Sequence, residues 1–143
     1  MKSKTQKPRA KAPRRKPEPP RDARPPVNVL LLENIHPTAE EGFRAHGLGR
    51  VEKHSGALTE EQLIKILPGV HVLGIRSKTR VGERVLKSAP QLMAVGCFCI
   101  GTDQVDLEAA SRRGVAVFNA PFSNTRSVAE LTIAEVVMLA RRA

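Results

Sequence analysis

The chain contains no G-x-G-x-x-G and no G-x-x-x-x-G-K-[ST], so it carries neither a dinucleotide-binding fingerprint nor a phosphate-cradling P-loop. Its apolar runs are short. None approaches the ~20 residues of a membrane span, and no apolar stretch follows the basic start as a secretory signal requires. Aromatic residues make up only 3% of the chain, and none lies in residues 1–26, so the positive charge there has no platform for stacking on bases. The four histidines (His36, His46, His54, His71) have no metal-ligand spacing, and no Ser-His-Asp arrangement emerges. His71 reads as a structural residue in or beside a strand. Two cysteines, Cys97 and Cys99, stand too close for an unstrained disulfide and lack the further ligands of a zinc site. We read them as buried free thiols of a soluble, cytoplasmic protein.

Charge is what the chain has in excess, and it is unevenly placed. Residues 1–26 hold ten of the 24 Lys and Arg, two acids (Glu18 and Asp22) and seven of the 11 prolines. They contribute +8 of the formal +10, leaving +2 for the rest. With almost no large apolar side chains, residues 1–26 cannot offset their ordering entropy and are expected to form a disordered basic tail. Its prolines favour extended stretches and forbid the amphipathic helix of an organellar presequence. Nucleic-acid binding by the protein as a whole is therefore not implied.

From Val27 onward, β-type runs alternate with helical patterns. Strands are expected at 27–32, 49–53, 71–75, 92–97 and 115–118. Thr59-Glu60-Glu61-Gln62 has capping-box spacing and opens a helix. Pro37 suits a first helical turn, Asp106 suits an N-cap, and Gly47 and Gly114 suit helix ends. Strand–helix alternation of this kind predicts an α/β, flavodoxin-like parallel sheet of order 2-1-3-4-5, with helices on both faces. The final helix, from Thr125 to about Arg142, carries Leu131, Ile133, Val136, Val137 and Leu139 on or near one side. It either packs across this domain or continues into chain beyond Ala143, and we expect the latter.

Ligands of such sheets bind beyond the carboxyl ends of the strands. Three segments emerge there. Arg76-Ser77-Lys78-Thr79-Arg80 offers three cations and two hydroxyls, a pattern suited to a phosphate or carboxylate and equally to a solvated turn. Gly96 to Asp103 allows tight turns and close approach of a ligand. Asn119 to Ser127 is polar, punctuated by Pro121, and leads into the last helix, whose amino end favours negative charge.

The runs Gly74–Thr79, Ala94–Leu107 (with G-C-F-C-I-G-T) and Val117–Leu131 (with F-N-A-P-F-S-N-T-R-S-V-A-E-L) together resemble the D-isomer-specific 2-hydroxyacid dehydrogenases, within their 3-phosphoglycerate-oxidising branch. The resemblance covers about residues 27–143. It implies NAD-dependent oxidation of 3-phosphoglycerate to 3-phosphohydroxypyruvate, the entry step of serine biosynthesis, by a homo-oligomer with a split substrate domain around an inserted nucleotide-binding domain. Residues 27–124 would form the first part of the substrate domain, and 125–143 the crossing into the nucleotide-binding one. The family's catalytic Arg, Glu and His match nothing before residue 143, which implies no catalytic residue and no activity in this chain alone. The resemblance assigns substrate binding to Arg76, Ser77, Lys78, Gly101 and Asn124, and contact with the NAD cofactor to Ile100 and Val128. Two residues depart from close relatives: Lys78 stands where Arg is usual, and Ser55 where Lys is frequent. Other readings are a dehydrogenase of a different small anionic 2-hydroxy acid, or a non-catalytic anion-binding module with a basic tail.

Overall fold

The computed structural model describes residues 26–48 and 50–142. The expectation of a disordered tail over 1–26 thus lies outside the described residues, Pro26 apart. Five strands form one all-parallel sheet: β1 (Asn28–Leu31), β2 (Arg50–Lys53), β3 (Val72–Ile75), β4 (Ala94–Cys97) and β5 (Ala116–Asn119). Their order is β2-β1-β3-β4-β5, as the alternation predicts. Five helices connect or follow them: α1 (Pro37–Ala45), α2 (Glu60–Ile66), α3 (Glu83–Ser88), α4 (Leu107–Arg112) and α5 (Thr125–Arg141).

Local chemistry explains the boundaries. At α2 the capping box is complete: the Thr59 hydroxyl accepts from Gln62 N–H at 3.4 Å, and Gln62 Oε1 accepts from Thr59 N–H at 2.9 Å. Asp106 Oδ1 accepts from Ala109 N–H at 2.9 Å and so starts α4. Gly114 closes the same helix at φ +69°, a conformation that costs glycine nothing. Strands β1 to β4 are one or two residues shorter than the apolar runs suggest, because ladder pairing ends where the loops diverge, and β5 keeps the expected length but is shifted by one residue.

Period-2 alternation then sorts side chains between two faces. Leu30 of β1 with Leu32 just past it, Leu73 and Ile75 of β3, and Val95 and Cys97 of β4 join Leu63 of α2, its C-cap Leu67, Val85 and Leu86 of α3, and Ala109 and Ala110 of α4 in the main core. On the other face, Val29, Leu31 and Ile35 meet Ala39 and Phe43 of α1. That second layer lies over β1 and β2 and reaches β3 at Val72. Over β3, β4 and β5 the same face carries Gly74 and Gly96 and leaves Phe98 and Phe118 exposed. Gly74 is required there, since a Cβ would lie 2.6 Å from Leu31 Cδ2 and 3.1 Å from the Phe98 ring.

One expectation needs correction. Cys97 is buried but Cys99 only partly so, because Cys99 lies past the end of β4 where the chain leaves the core. The last helix, α5, does not pack across the domain, the alternative that the sequence reading set aside. It contacts no other element, and every one of its residues is exposed, Leu131, Ile133, Val136, Val137 and Leu139 included. Its apolar residues thus find no partner among the described residues. Among those residues, no helix is long and apolar enough to cross a membrane.

Candidate functional site

All five strands run the same way, so the loops after β3, β4 and β5 leave one edge of the sheet. They are tied together there. Phe98 N–H donates to Ile75 O at 2.8 Å, and Val81 bridges Val105 through bonds to Gln104 and Asp106. Between the second and third loops, Ala120 N–H donates to Cys99 O at 3.0 Å and Asn119 Nδ2 to Ile100 O at 2.7 Å. Each loop is fixed against the next because it borrows its neighbour's carbonyls.

Two residues that sequence patterns did not single out hold the cationic loop. Glu33, buried at 7% exposure, accepts from the N–H groups of Arg76 (3.2 Å), Lys78 (3.0 Å) and Thr79 (2.8 Å). Gln104, buried to the same degree, donates from Nε2 to Arg76 O at 2.9 Å and to Gly101 O at 3.3 Å. Arg76 is thereby gripped at both its N–H and its carbonyl. Both residues sit just beyond apolar or turn segments, where a polar residue reads as solvated. Only the fold turns them inward.

Burial pushes the Glu33 carboxyl up, but donation outweighs it. The Lys78, Thr79 and Arg76 N–H groups, with the buried Thr79 hydroxyl beside them, hold it below its ordinary value of 4.5. That hydroxyl has no hydrogen bond of regular geometry. A depressed carboxylate contributes stability that is full above its unfolded value and lost as pH falls through the folded one. Acid titration of melting temperature, from about pH 5 to about pH 3, is accordingly expected to fall more steeply for the unmodified protein than for Glu33→Gln. Parallel curves would assign the acid sensitivity elsewhere.

The proposed site residues are distributed as follows. Arg76, Ser77 and Lys78 are exposed on the loop after β3. Among the described residues, Arg76 and Lys78 enter no ion pair, as is also true of Arg50, Lys65, Arg80 and Arg113, whereas Arg44, Lys53, Arg84, Lys87, Arg112 and Arg126 do. Ser77 and Gly101 share a depression of about 280 Å³ with Arg80, Cys99, Asp103 and Gln104. Arg76 borders a different hollow of about 650 Å³, with Asn34, His36 and Phe98. The cationic loop therefore gives Ser77 and Arg76 to separate hollows, and Lys78 borders neither of them. Ile100 is 44% exposed at the same edge. Asn124 is the N-cap of α5 without a side-chain capping bond, and Val128 lies one turn further, half exposed. Neither borders the two hollows of the cationic loop.

A family model for the D-isomer specific 2-hydroxyacid dehydrogenase catalytic domain matches residues 29–141. The chain belongs to this family. D-3-phosphoglycerate dehydrogenase of Escherichia coli K12 is 53% identical over 115 residues, 80% of this chain and 28% of that enzyme. The chain thus spans under a third of that relative. A crystal structure of the TT0316 protein from Thermus thermophilus superposes with a TM-score of 0.72 at 34% identity, over 81% of this chain and 37% of that one. D-lactate dehydrogenase from Aquifex aeolicus, complexed with NAD and lactic acid, shares the fold at a TM-score of 0.63 and 22% identity, over 78% of this chain and 33% of that one.

In this dehydrogenase-family chain His36 borders the Arg76 hollow and Cys99 the Ser77 depression, whereas His71 and Cys97 stand apart from the edge loops' surface. His71 Nδ1 accepts from Asn28 N–H at 3.1 Å at the opposite, amino end of the sheet, the structural place expected of it. Burial and then the neighbouring Cys99 push the Cys97 thiol up to about 11, which keeps it protonated and inert at neutral pH. Cys99 Sγ lies 3.3 Å from Gly101 O and serves as a weak internal donor. Among the described residues, no cluster of His, Cys, Asp and Glu has metal-site geometry.

Proposed function

We propose that this chain supplies the substrate-positioning wall of an NAD-dependent dehydrogenase that oxidises 3-phosphoglycerate to 3-phosphohydroxypyruvate in L-serine biosynthesis. The observation that carries the reading is the loop after β3. Arg76 and Lys78 stand without ion-pair partners among the described residues, on a backbone held in place from behind, in a chain 53% identical to a D-3-phosphoglycerate dehydrogenase. Arg76 and Lys78 neutralise the phosphate or carboxylate of the acid, while the Ser77 hydroxyl orients it. Gly101 lines the same depression as Ser77 and, having no Cβ, leaves its backbone open to the substrate. Asn124 borders the same edge at the head of α5.

NAD, when bound, accepts the hydride. Ile100 and Val128 suit the apolar face of its nicotinamide, being exposed and adjacent to the edge loops. No glycine-rich cradle for its pyrophosphate occurs in the chain, so residues outside it must hold the rest of the cofactor. We assign residues 27–124 to the first part of a substrate domain and 125–143 to the crossing into a nucleotide-binding domain. The exposed Phe118 face of β5 and the unpartnered α5 support that division. The reading carries a cytoplasmic setting, in keeping with free thiols at Cys97 and Cys99, and a homo-oligomeric whole enzyme.

The test uses the protein expressed from its whole reading frame. NADH formation is expected with 3-phosphoglycerate at a kcat/KM at least about tenfold above that with D-lactate or D-glycerate, the margin one charge-assisted contact supplies. Equal or reversed preference would replace the substrate with an unphosphorylated acid, and the absence of any NADH formation would reject the dehydrogenase reading.

A further inference from the structure

Each donor on the cationic loop has one of two destinations, inward or outward. Three of the four N–H groups from Arg76 to Thr79 point inward to the Glu33 carboxylate, at 3.2, 3.0 and 2.8 Å. Ser77 N–H alone finds no acceptor among the described residues. An anion arriving from solvent therefore meets the side chains of Arg76, Ser77 and Lys78 and a single backbone donor, not a ring of amides. The inward carboxylate has taken the place a bound phosphate occupies in loops that use their backbone.

Glu33 is held in an unusual way. It and Asn34 both adopt left-handed backbone, at φ 58° and 53°, a conformation uncommon outside glycine. Glu33 N–H is committed to Gly56 O at 3.1 Å and Asn34 N–H to His54 O at 3.4 Å, so the strained pair is pinned by the β2–α2 connection. The strain turns the carboxylate from the end of β1 under the neighbouring loop after β3. A solvent-facing glutamate would need no such arrangement.

We propose that Glu33 is a positioning residue for the anion site: by taking the N–H groups of Arg76, Lys78 and Thr79, it presents the Arg76 and Lys78 side chains outward to an anionic 2-hydroxy acid. The proposal rests on the function above but is separable from it. Glu33 never contacts the acid; it sets the geometry of the groups that do. Glutamine at this position retains one acceptor oxygen and turns an NH₂ group toward an N–H, so part of the grip is lost while volume is preserved.

Two measurements test it. In the unmodified protein, amide hydrogen exchange should be slow at Arg76, Lys78 and Thr79 and fast at Ser77. Equal exchange at all four would overturn the proposal without any variant. In the whole-reading-frame enzyme, Glu33→Gln should raise KM for 3-phosphoglycerate about tenfold and change kcat less than about twofold, with faster exchange confined to residues 76–79. A purely structural role would instead quicken exchange across β3 and β4 and leave KM unchanged for the folded fraction, and that result overturns the proposal. If Arg76→Ala raises KM and Glu33→Gln does not, the proposal fails while the function stands. If neither variant alters KM for any hydroxy acid, the loop after β3 is not the anion site and the proposal fails with it.

Discussion

Leu73→Ala is expected to cost about 3 kcal/mol of folding stability. Leu73 lies in the middle of β3, the strand at the centre of the sheet, and is fully buried. It shares the main core with Leu30, Leu63, Leu86 and Val95, from two neighbouring strands and two helices. The vacated volume has strand backbone on both sides and helices above, so collapse into it is limited, and the cavity adds to the lost transfer free energy. Leu131→Ala, on the exposed α5, is the matched control and is expected to change stability by less than about 0.5 kcal/mol. Urea denaturation of both variants decides the matter. A loss below about 1 kcal/mol for Leu73→Ala would mean that α2, α3 and α4 do not close over β3 as described.

The second large effect concerns binding. On the function proposed, Arg76→Ala in the whole enzyme is expected to raise KM for 3-phosphoglycerate by roughly 10- to 100-fold, the equivalent of a charge-assisted hydrogen bond of about 1.5–3 kcal/mol. Its guanidinium is exposed and forms no ion pair among the described residues, so folding stability should stay within about 0.5 kcal/mol of the parent. That contrast separates a binding role from a structural one. Lys78→Arg complements it. An ammonium is a point charge, whereas a guanidinium forks onto two oxygens, so the substitution should lower KM a few-fold. Steady-state kinetics with both variants suffices. A KM for Arg76→Ala within about twofold of the parent would remove the residue from the substrate site.

Much of the scaffold was readable from residue types in order. Val27 to Leu32 is apolar at nearly every position because β1 is covered on both faces, and its buried residues match. Thr59 with Gln62, Asp106 and Gly114 act locally, within a turn of the helix they bound, so their roles needed no knowledge of the rest of the molecule. The position of Arg76, Ser77 and Lys78 was legible for a related reason. The parallel order sets which end of β3 they leave from, although their pattern suits a solvated turn as well as an anion site. Membership of the 2-hydroxyacid dehydrogenase family was likewise legible, from the G-C-F-C-I-G-T and N-A-P-F-S-N-T-R-S runs.

Glu33 and Gln104 were not. A glutamate after an apolar run looks like a chain leaving the core for water, and only the pairing of β1 with β3 puts it beneath the loop 43 to 46 residues away. Cys99 was misjudged for a similar reason, since it lies two positions past Cys97 yet beyond the end of β4, where alternation no longer predicts burial. The apolar residues of α5 imply a buried face by pattern, but nothing in the pattern says what would cover it. Here nothing among the described residues does.

The kinds of element and their ends in this fold follow from interactions between near neighbours and from the period of the apolar residues, both of which are written into the chain. What supports the cationic loop is different in kind. Buried polar groups must find partners wherever the packed strands bring them, and their partners lie tens of residues away, so the grip of Glu33 and Gln104 on Arg76 exists only once the sheet has assembled.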